Sequence, residues 1–375
     1  MKTTSPHKCA RRRSGFTILE VLVSVAILAM LMALVAMMFD SSSKLWKSAG
    51  AKTATFQSAR TAIGTISRQL GQATLNSFTD YARDASGNIV SSGNSTSGNR
   101  TAHVRQSNLH FLSGPPEKFG YPEMTTALQC HSHAVFFQAP LGYSDNATLT
   151  GGLNSAVNVC GYYVEFSDDS GGRAGFISGA PNARWRYRLM EVRQPTEANG
   201  VYGSTFDYTA GTPRGYNIGW LKPGLKLIDG GQPNSAGPRR VLAENVIAMV
   251  LLPVLSLADP RYSETFLTDD YVYNSRLYLD NPNAPKASRT RNSLPPVMQL
   301  MLVAIDEPSA KRLAEKNGDI APFGPASDMP VSGLFSDPEQ LASDMAKLTK
   351  YLQDNRIGHR VFTSDILIRG TADTP

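Results

Sequence analysis

Residues 11–39 read RRRSGFTILEVLVSVAILAMLMALVAMMF, and the rest of the chain is arranged by this stretch. Three arginines precede Ser14 and Gly15, and Phe16 opens an apolar run. One carboxylate, Glu20, lies four residues beyond Phe16. From Val21 to Phe39 no residue is charged, and Ser24 is the only polar side chain. As a helix, residues 16–39 span about 36 Å at ~1.5 Å per residue, enough to cross a hydrocarbon core roughly 30 Å thick.

Two ordinary readings compete for such a segment. A cleaved secretory signal also has a basic start, but its apolar region is about 7–15 residues long, and this run is longer. A plain transmembrane anchor has the right length but no use for Glu20. A carboxylate costs roughly 2.5–3.5 kcal/mol near mid-bilayer and less towards the edge, so its presence calls for a function.

The string Gly15-Phe16-Thr17-Ile18-Leu19-Glu20 resembles the type III signal of type IV prepilins and type II secretion pseudopilins. The resemblance covers the basic leader and the apolar run. It implies that a membrane peptidase cuts after Gly15, then methylates the new amine of Phe16, leaving Glu20 fifth in the mature chain. The physical logic agrees. Cleavage exposes an α-ammonium at the membrane edge, and a buried ammonium and a buried carboxylate are each costly alone and tolerable together. In a staggered bundle, Glu20 of one subunit can pair with the Phe16 amine of its neighbour. In a solitary chain, Glu20 would instead snorkel to the headgroups. The implied partners are a prepilin peptidase, other pilin-like subunits and the inner membrane.

The chain has 375 residues, 41% hydrophobic and 18% charged, a length that allows one large or two modest domains. Its formal net charge is +6, but Lys2, Lys8, Arg11, Arg12 and Arg13 all lie in the leader; removing these five charges takes it from +6 to +1. The basic balance therefore gives no argument for a nucleic-acid partner. It sets topology instead, with the leader cytoplasmic and the bulk of the chain on the other side, periplasmic, of a single-pass inner-membrane protein. Of the three cysteines, Cys9 belongs to the leader. Cys130 and Cys160 remain, an even count that in an exported domain suggests a disulfide, with two separate buried thiols as the alternative.

The helical pattern continues past the membrane run. Ala49, Phe56, Ile63 and Leu70 are spaced by seven, and Lys52, Ala59, Ile66 and Ala73 interleave, with the lysine intruding on an apolar stripe. No proline occurs between Phe16 and Gly114. This predicts one helix over residues 16–77 whose distal part is half buried on a head. Residues 84–99 and 199–237 read as polar loops. Strands are predicted at 102–112, 133–138, 161–167, 185–193, 272–279, 297–305 and 360–368. In residues 184–189 the alternation places Arg184, Arg186 and Arg188 on one side, which reads as a solvated sheet face. Residues 241–255, VLAENVIAMVLLPVL, read as a buried strand or a short helix plus strand. Helices are predicted at 308–316 and 338–353.

The expected fold class is α+β: a long N-terminal transmembrane helix running into a globular head, with an antiparallel sheet packed on its distal half. The expected divisions are a cleaved leader (1–15), a transmembrane half of the helix (16–39), an exposed amphipathic half (40–78) and an extracytoplasmic head (79–375). Large minor pilins and pseudopilins share that plan. The block VLAENVIAMVLLPVLS, the later YNSR and the terminal RVFTSDILIRG also resemble a pilin-like group called Verru_Chthon cassette protein C. That group is named for its gene setting, and the resemblance supplies no active site.

Chemistry in the head has two candidate starting points. Cys130-His131-Ser132-His133 offers three metal ligands, but zinc wants about four, or three and a water. A fourth must come from His103, His110 or Cys160, and Cys130 is also claimed by the disulfide. His133 opens an apolar strand, which suits a hydrogen-bonded edge histidine better. Asp168-Asp169-Ser170-Gly171-Gly172 offers two adjacent carboxylates where calcium needs six or more oxygens, so a turn is the better use. No P-loop, HExxH, GxSxG or dinucleotide fingerprint is present. The expectation is a protein with no catalytic residues, no metal and no cofactor. Two functions fit: a structural subunit of an envelope filament or secretion machine, or a membrane-anchored binding module or adhesin that displays loops 84–99 and 199–237.

Overall fold

The computed structural model describes residues 17–81, 91–92, 100–101, 103–119, 132–146, 148, 152–169, 184–201, 220–221, 239–255, 267–268, 270–276 and 290–369. The chain divides into two compact units, Met1–Ala51 and Lys52–Pro375. One helix, α1 (Ile18–Leu70), supplies the described part of the first unit and opens the second.

In the first unit the apolar side chains of α1 are exposed all round. Leu22 is 63% and Met38 72% accessible. The most apolar 18-residue window of the helix has a mean hydropathy of 2.8, and none of it is buried. A helix that is apolar on every face has no stripe to lay on a protein core; its natural solvent is lipid. Among the described residues, this is the one helix long and apolar enough to cross a membrane.

The second unit is the head. After the last turns of α1 come strands β1 (Phe78–Tyr81), β2 (Ser91–Ser92), β3 (Arg100–Thr101), β4 (His103–Gln106), β5 (Leu112–Gly114), β6 (Ala134–Pro140), β7 (Val157–Ser167), β8 (Arg186–Gln194), β9 (Arg239–Glu244), β10 (Val246–Val254), β11 (Tyr273–Asn274) and β12 (Val297–Ile305). Helices α2 (Glu307–Asn317) and α3 (Leu341–Asp354) follow, and β13 (His359–Leu367) closes the chain's sheets. Two antiparallel sheets carry the core, one of six strands in the order β11-β5-β6-β7-β8-β9 and one of three in the order β10-β12-β13. Two short ladders, β1-β4 and β2-β3, lie apart. The long helix followed by antiparallel sheets is the α+β architecture expected.

The segment read as one buried strand, or helix plus strand, is instead two strands in different sheets. The break falls at Asn245, whose φ of 64° is a left-handed conformation that asparagine tolerates better than most residues. Its N–H donates to Tyr187 O at 2.7 Å, its C=O accepts from Ile305 N at 2.9 Å, and its side-chain amide reaches Glu307. One residue thus passes the chain from β9, paired with β8, to β10, paired with β12.

Within the head, α1 buries Ala59, Ile66 and Leu70 of the predicted repeat and half-buries Phe56 and Ile63, while Ala49 and Lys52 stay exposed; Ala62 and Gln69, outside that repeat, are buried beside them. Ile66 and Leu70 are fully enclosed, worth roughly 1.5–3 kcal/mol each. Phe56 packs on Phe362 of β13 with ring centroids 6.4 Å apart, and Ser67 Oγ lies 3.2 Å from Ser364 Oγ. Lys52, the intruder in the apolar repeat, pairs with the buried Asp306 at 3.2 Å. The same carboxylate caps α2 by accepting from Ser309 N at 2.9 Å. The helix ends at Leu70, seven residues earlier than predicted. At Gly71 a Cβ would stand 3.0 Å from Ser67 O and 3.3 Å from Leu367 O. The chain there is captured by the sheets, with Arg369 N bonded to Gly71 O at 3.1 Å and Thr74 N to Gln138 O at 2.9 Å. A glycine just past the last helical residue is itself a stop signal, read too weakly when Gly50, Gly64 and Gly71 are taken only to loosen the helix, and tertiary hydrogen bonds that no local pattern carries hold the chain there.

The arginine row departs further from expectation. Arg186 and Arg188 are each only 4% accessible, so β8 has no solvated face. Arg186 pairs with Glu307 at 3.1 Å and reaches Ala310 O. Arg188 donates to Ser167 O, Ser167 Oγ, Asp168 O and Arg184 O. Alternation of charge and aromatics is correct for a pleat, but α2 and the β7 end cover the charged side. Arg186 and Arg188 direct guanidinium donors to the protein's own carbonyl, carboxylate and hydroxyl oxygens, with Arg186 Nε left without a partner among the described residues, whereas Arg184 stays exposed and pairs with Glu244 at 2.7 Å.

Candidate functional site

The start of α1 is the first site. Thr17 sits at the N-cap, and its Oγ1 accepts from Glu20 N at 3.3 Å while its C=O accepts from Glu20 N and Val21 N. Ser24 Oγ donates back to Glu20 O at 2.7 Å. Thr17-x-x-Glu20 is the sequence of a capping box, of which the threonine half is formed here. Glu20 therefore occupies the third helical position, where the helix dipole favours a carboxylate. Its carboxylate has no ion-pair partner among the described residues and is exposed. The arrangement places one carboxylate at the entry to an apolar helix. Gly15 and Phe16 lie outside the described residues.

Of the metal candidates, His133, Asp168 and Asp169 are described and take structural roles. Cys130 and His131 lie outside the described residues. His133 is buried beside β10, an edge strand of its sheet, and does there what a neighbouring strand would do. Its N–H donates to Met249 O at 3.0 Å, and its Nδ1 accepts from Leu251 N at 3.0 Å. Its Nε2 donates to Phe335 O at 3.1 Å. Ser132 Oγ accepts from Met249 N, completing the edge. An imidazole with one nitrogen accepting and one donating is neutral, and burial pushes its pKa down to about 4. Asp169 accepts from Arg184 N at 2.8 Å, and Asp168 lends its carbonyl to Arg188; residues 170–172 lie outside the described residues. Among the described residues, no group of three or more His, Cys, Asp or Glu is placed to hold a metal.

Cys160 is a free thiol in the middle of β7, in register with Phe137 and Arg193 and fully buried. Burial raises its pKa to about 12. The bridge to Cys130 is not shown: of the two alternatives at Cys160, the structure displays the buried thiol. The neighbouring Gly161 is needed at its position, because Phe136 lies across it and a Cβ would meet that ring.

Two buried polar clusters escaped the sequence reading. In the first, Glu191 is fully buried and receives Arg240 and, at 3.0 Å, Arg193. Tyr162 OH lies 3.1 Å from Glu191 Oε1 and 2.7 Å from Gln69 Oε1, tying α1 to the six-stranded sheet. Burial alone would raise the Glu191 carboxyl, but the Arg240 hydrogen bond and the charges of Arg193 and Arg240 outweigh it and hold it below the usual carboxylate range. The second cluster joins His110, Gln138, Gln194 and Trp220, all fully buried. The signal for the second was Gln138, the lone polar residue in the apolar strand AVFFQAP; Glu191 lies among arginines in RYRLMEVRQ and carried no such signal.

With this geometry in view, comparison with known proteins is specific to one end of the chain. Residues 10–36 match the family model described as the prokaryotic N-terminal methylation motif. No curated protein and no solved structure matches the chain. The matched residues hold the leader arginines, Gly15, Phe16, Thr17, Glu20 and most of the apolar helix. The motif is consistent with a type IV pilin-like protein processed by a prepilin peptidase, and with its apolar helix fits a single-pass, membrane-anchored protein.

Proposed function

We propose that this protein is a minor pilin or pseudopilin: a non-enzymatic structural subunit of an envelope filament or of a type II secretion or type IV pilus-like machine. The observation that carries the reading is the methylation motif set on a helix whose first part, residues 18–39, is apolar on all sides and whose third position, Glu20, is a carboxylate with no ion-pair partner among the described residues. In this reading the peptidase cuts between Gly15 and Phe16, the Phe16 amine is methylated, and the head faces the periplasm. Glu20 meets the Phe16 amine of a neighbouring subunit. The head supports the reading by what its polar groups do: Arg186, Arg188, His133, Asp168 and Glu191 are occupied in holding the fold together.

The test is the mature terminus. Mass spectrometry of the membrane protein is expected to find Phe16 first and N-methylated, and Gly15→Trp is expected to leave the precursor uncut. A terminus near Ala36 would identify an ordinary signal peptide and end the filament reading. A correctly processed protein that stays a monomer in the membrane would point to an anchored binding module instead.

A further inference from the structure

Four side chains that the filament reading does not use close a circuit over Val159. Gln138 of β6 and Gln194 of β8 are both in register with Val159 of β7. Directly paired residues share a face, so the two glutamines stand on one side of the sheet, two strand spacings or about 10 Å apart. His110 N donates to Gln138 Oε1 at 2.8 Å, and Gln194 Nε2 donates to Trp220 O at 3.1 Å. The His110 and Trp220 rings meet edge-on with centroids 5.7 Å apart, which completes the circuit. All four residues are inaccessible to solvent.

These bonds fix the chemistry of what remains. Gln138 Oε1 is accepting, so its second atom, Nε2, is a donor. Gln194 Nε2 is donating, so its Oε1 is an acceptor. His110 Nε2 lies 2.8 Å from Asn274 Oδ1, an oxygen that can only accept, so the imidazole keeps its proton there and presents Nδ1 as an acceptor. Burial keeps that ring neutral, its pKa lowered to about 3. Trp220 Nε1 can only donate. Gln138 Nε2, Gln194 Oε1, His110 Nδ1 and Trp220 Nε1 have no partner among the described residues.

The demand is two donors and two acceptors, with no net charge. An anion would face two lone pairs, a cation two N–H groups, and a hydrocarbon would leave all four unpaired. Water accepts two hydrogen bonds and donates two, and internal waters typically make about three such bonds to buried groups. We propose that this circuit is a built hydration site, holding one internal water or a hydrogen-bonded pair. Trp220 is the ring that closes it.

The experiment uses the processed, full-length protein in detergent micelles with 15N-labelled tryptophan. Three indole signals arise, from Trp46, Trp185 and Trp220. Trp46→Phe, at a position 80% accessible, and Trp185→Phe assign the Trp220 signal by elimination without touching the circuit. The expected result is a direct cross-peak between Trp220 Hε1 and the water line, of opposite sign in the rotating-frame and laboratory-frame spectra, as for a long-lived water. Loss of that cross-peak, with Hε1 contacting protein protons alone, overturns the proposal. So does a cross-peak to a resonance belonging to neither protein nor water, which would place a small polar ligand there.

Discussion

Leu28 and Ile66 lie on one continuous helix, yet Leu28 is 55% accessible and Ile66 is fully buried. Residues 18–39 are apolar on every face and touch no core; residues 52–70 are mixed, and a single stripe of them packs against the head. Backbone hydrogen bonding is the same in both, so neither half is explained by helix propensity. The proximal half is suited to lipid, where the hydrophobic effect between helices vanishes and a buried charge pair becomes the available specificity. The distal half is held by area removed from water and by polar links such as Lys52–Asp306 and Gln69–Tyr162.

The sharpest way to break this comparison is at Glu20. Glu20→Ala removes an expensive charge but leaves Thr17 capping the helix, so insertion and processing should persist. In the proposed assembly, stranding the neighbour's buried amine costs about 3–5 kcal/mol, a loss of roughly two to almost four powers of ten in subunit association. Cross-linking to other pilin-like subunits should collapse, and Glu20→Gln, which cannot neutralise, should behave almost as badly. Undiminished cross-linking in both variants would remove Glu20 from assembly.

Ile66 and Leu28 test the two halves directly. Ile66→Ala should destabilise the head by about 2–5 kcal/mol, lowering its thermal midpoint. Leu28→Ala, with no core to lose, should leave that midpoint unchanged. An equal effect of both would mean that the apolar half also contributes to folding of the head.

A third expectation concerns pH. His133 and His110 are neutral in the fold, with pKa values lowered to about 4 and about 3 by burial, against ~6.5 when unfolded. The unfolded chain binds their protons more readily, so the stability they contribute is complete above pH ~6.5 and declines as the pH falls towards 4, by up to about 1.4 kcal/mol per histidine per pH unit. Glu191, held low by its arginines, adds a further loss below about pH 4.3, the usual carboxylate value. The head's midpoint should fall between pH 6.5 and 4.5, and His133→Gln should flatten that slope. A midpoint independent of pH in this window would contradict the neutral, edge-capping role of His133.

The smallest effect is at Cys160. In a Cys130→Ser background, Cys160 should resist alkylation in the native head and react on unfolding, because burial both shields it and raises its pKa to about 12. If wild-type mature protein, unfolded without reductant, yields labelled thiols only after reduction, the Cys130–Cys160 bridge is restored.

Much of the chain was legible in order. Strand β12 and helix α2 fall within a residue of their predicted bounds, because an apolar run flanked by Asn-Ser-Leu-Pro-Pro and Asp-Glu-Pro carries its own stop and start signals. The glutamate spacing after Gly15 and the length of the apolar run needed no fold at all, since membrane thickness and peptidase recognition act on local sequence. What local pattern could not carry were the pairings. That Asn245 splits one apolar block between two sheets depends on Tyr187 and Ile305, distant in sequence. That Arg186 and Arg188 are buried rather than wet depends on α2 and the β7 end covering them. That His133 serves a strand edge depends on Met249 and Leu251. Periodicity reports which face a residue takes; only the folded chain decides what that face meets, because burial and hydrogen-bond satisfaction are properties of residues brought together from far apart.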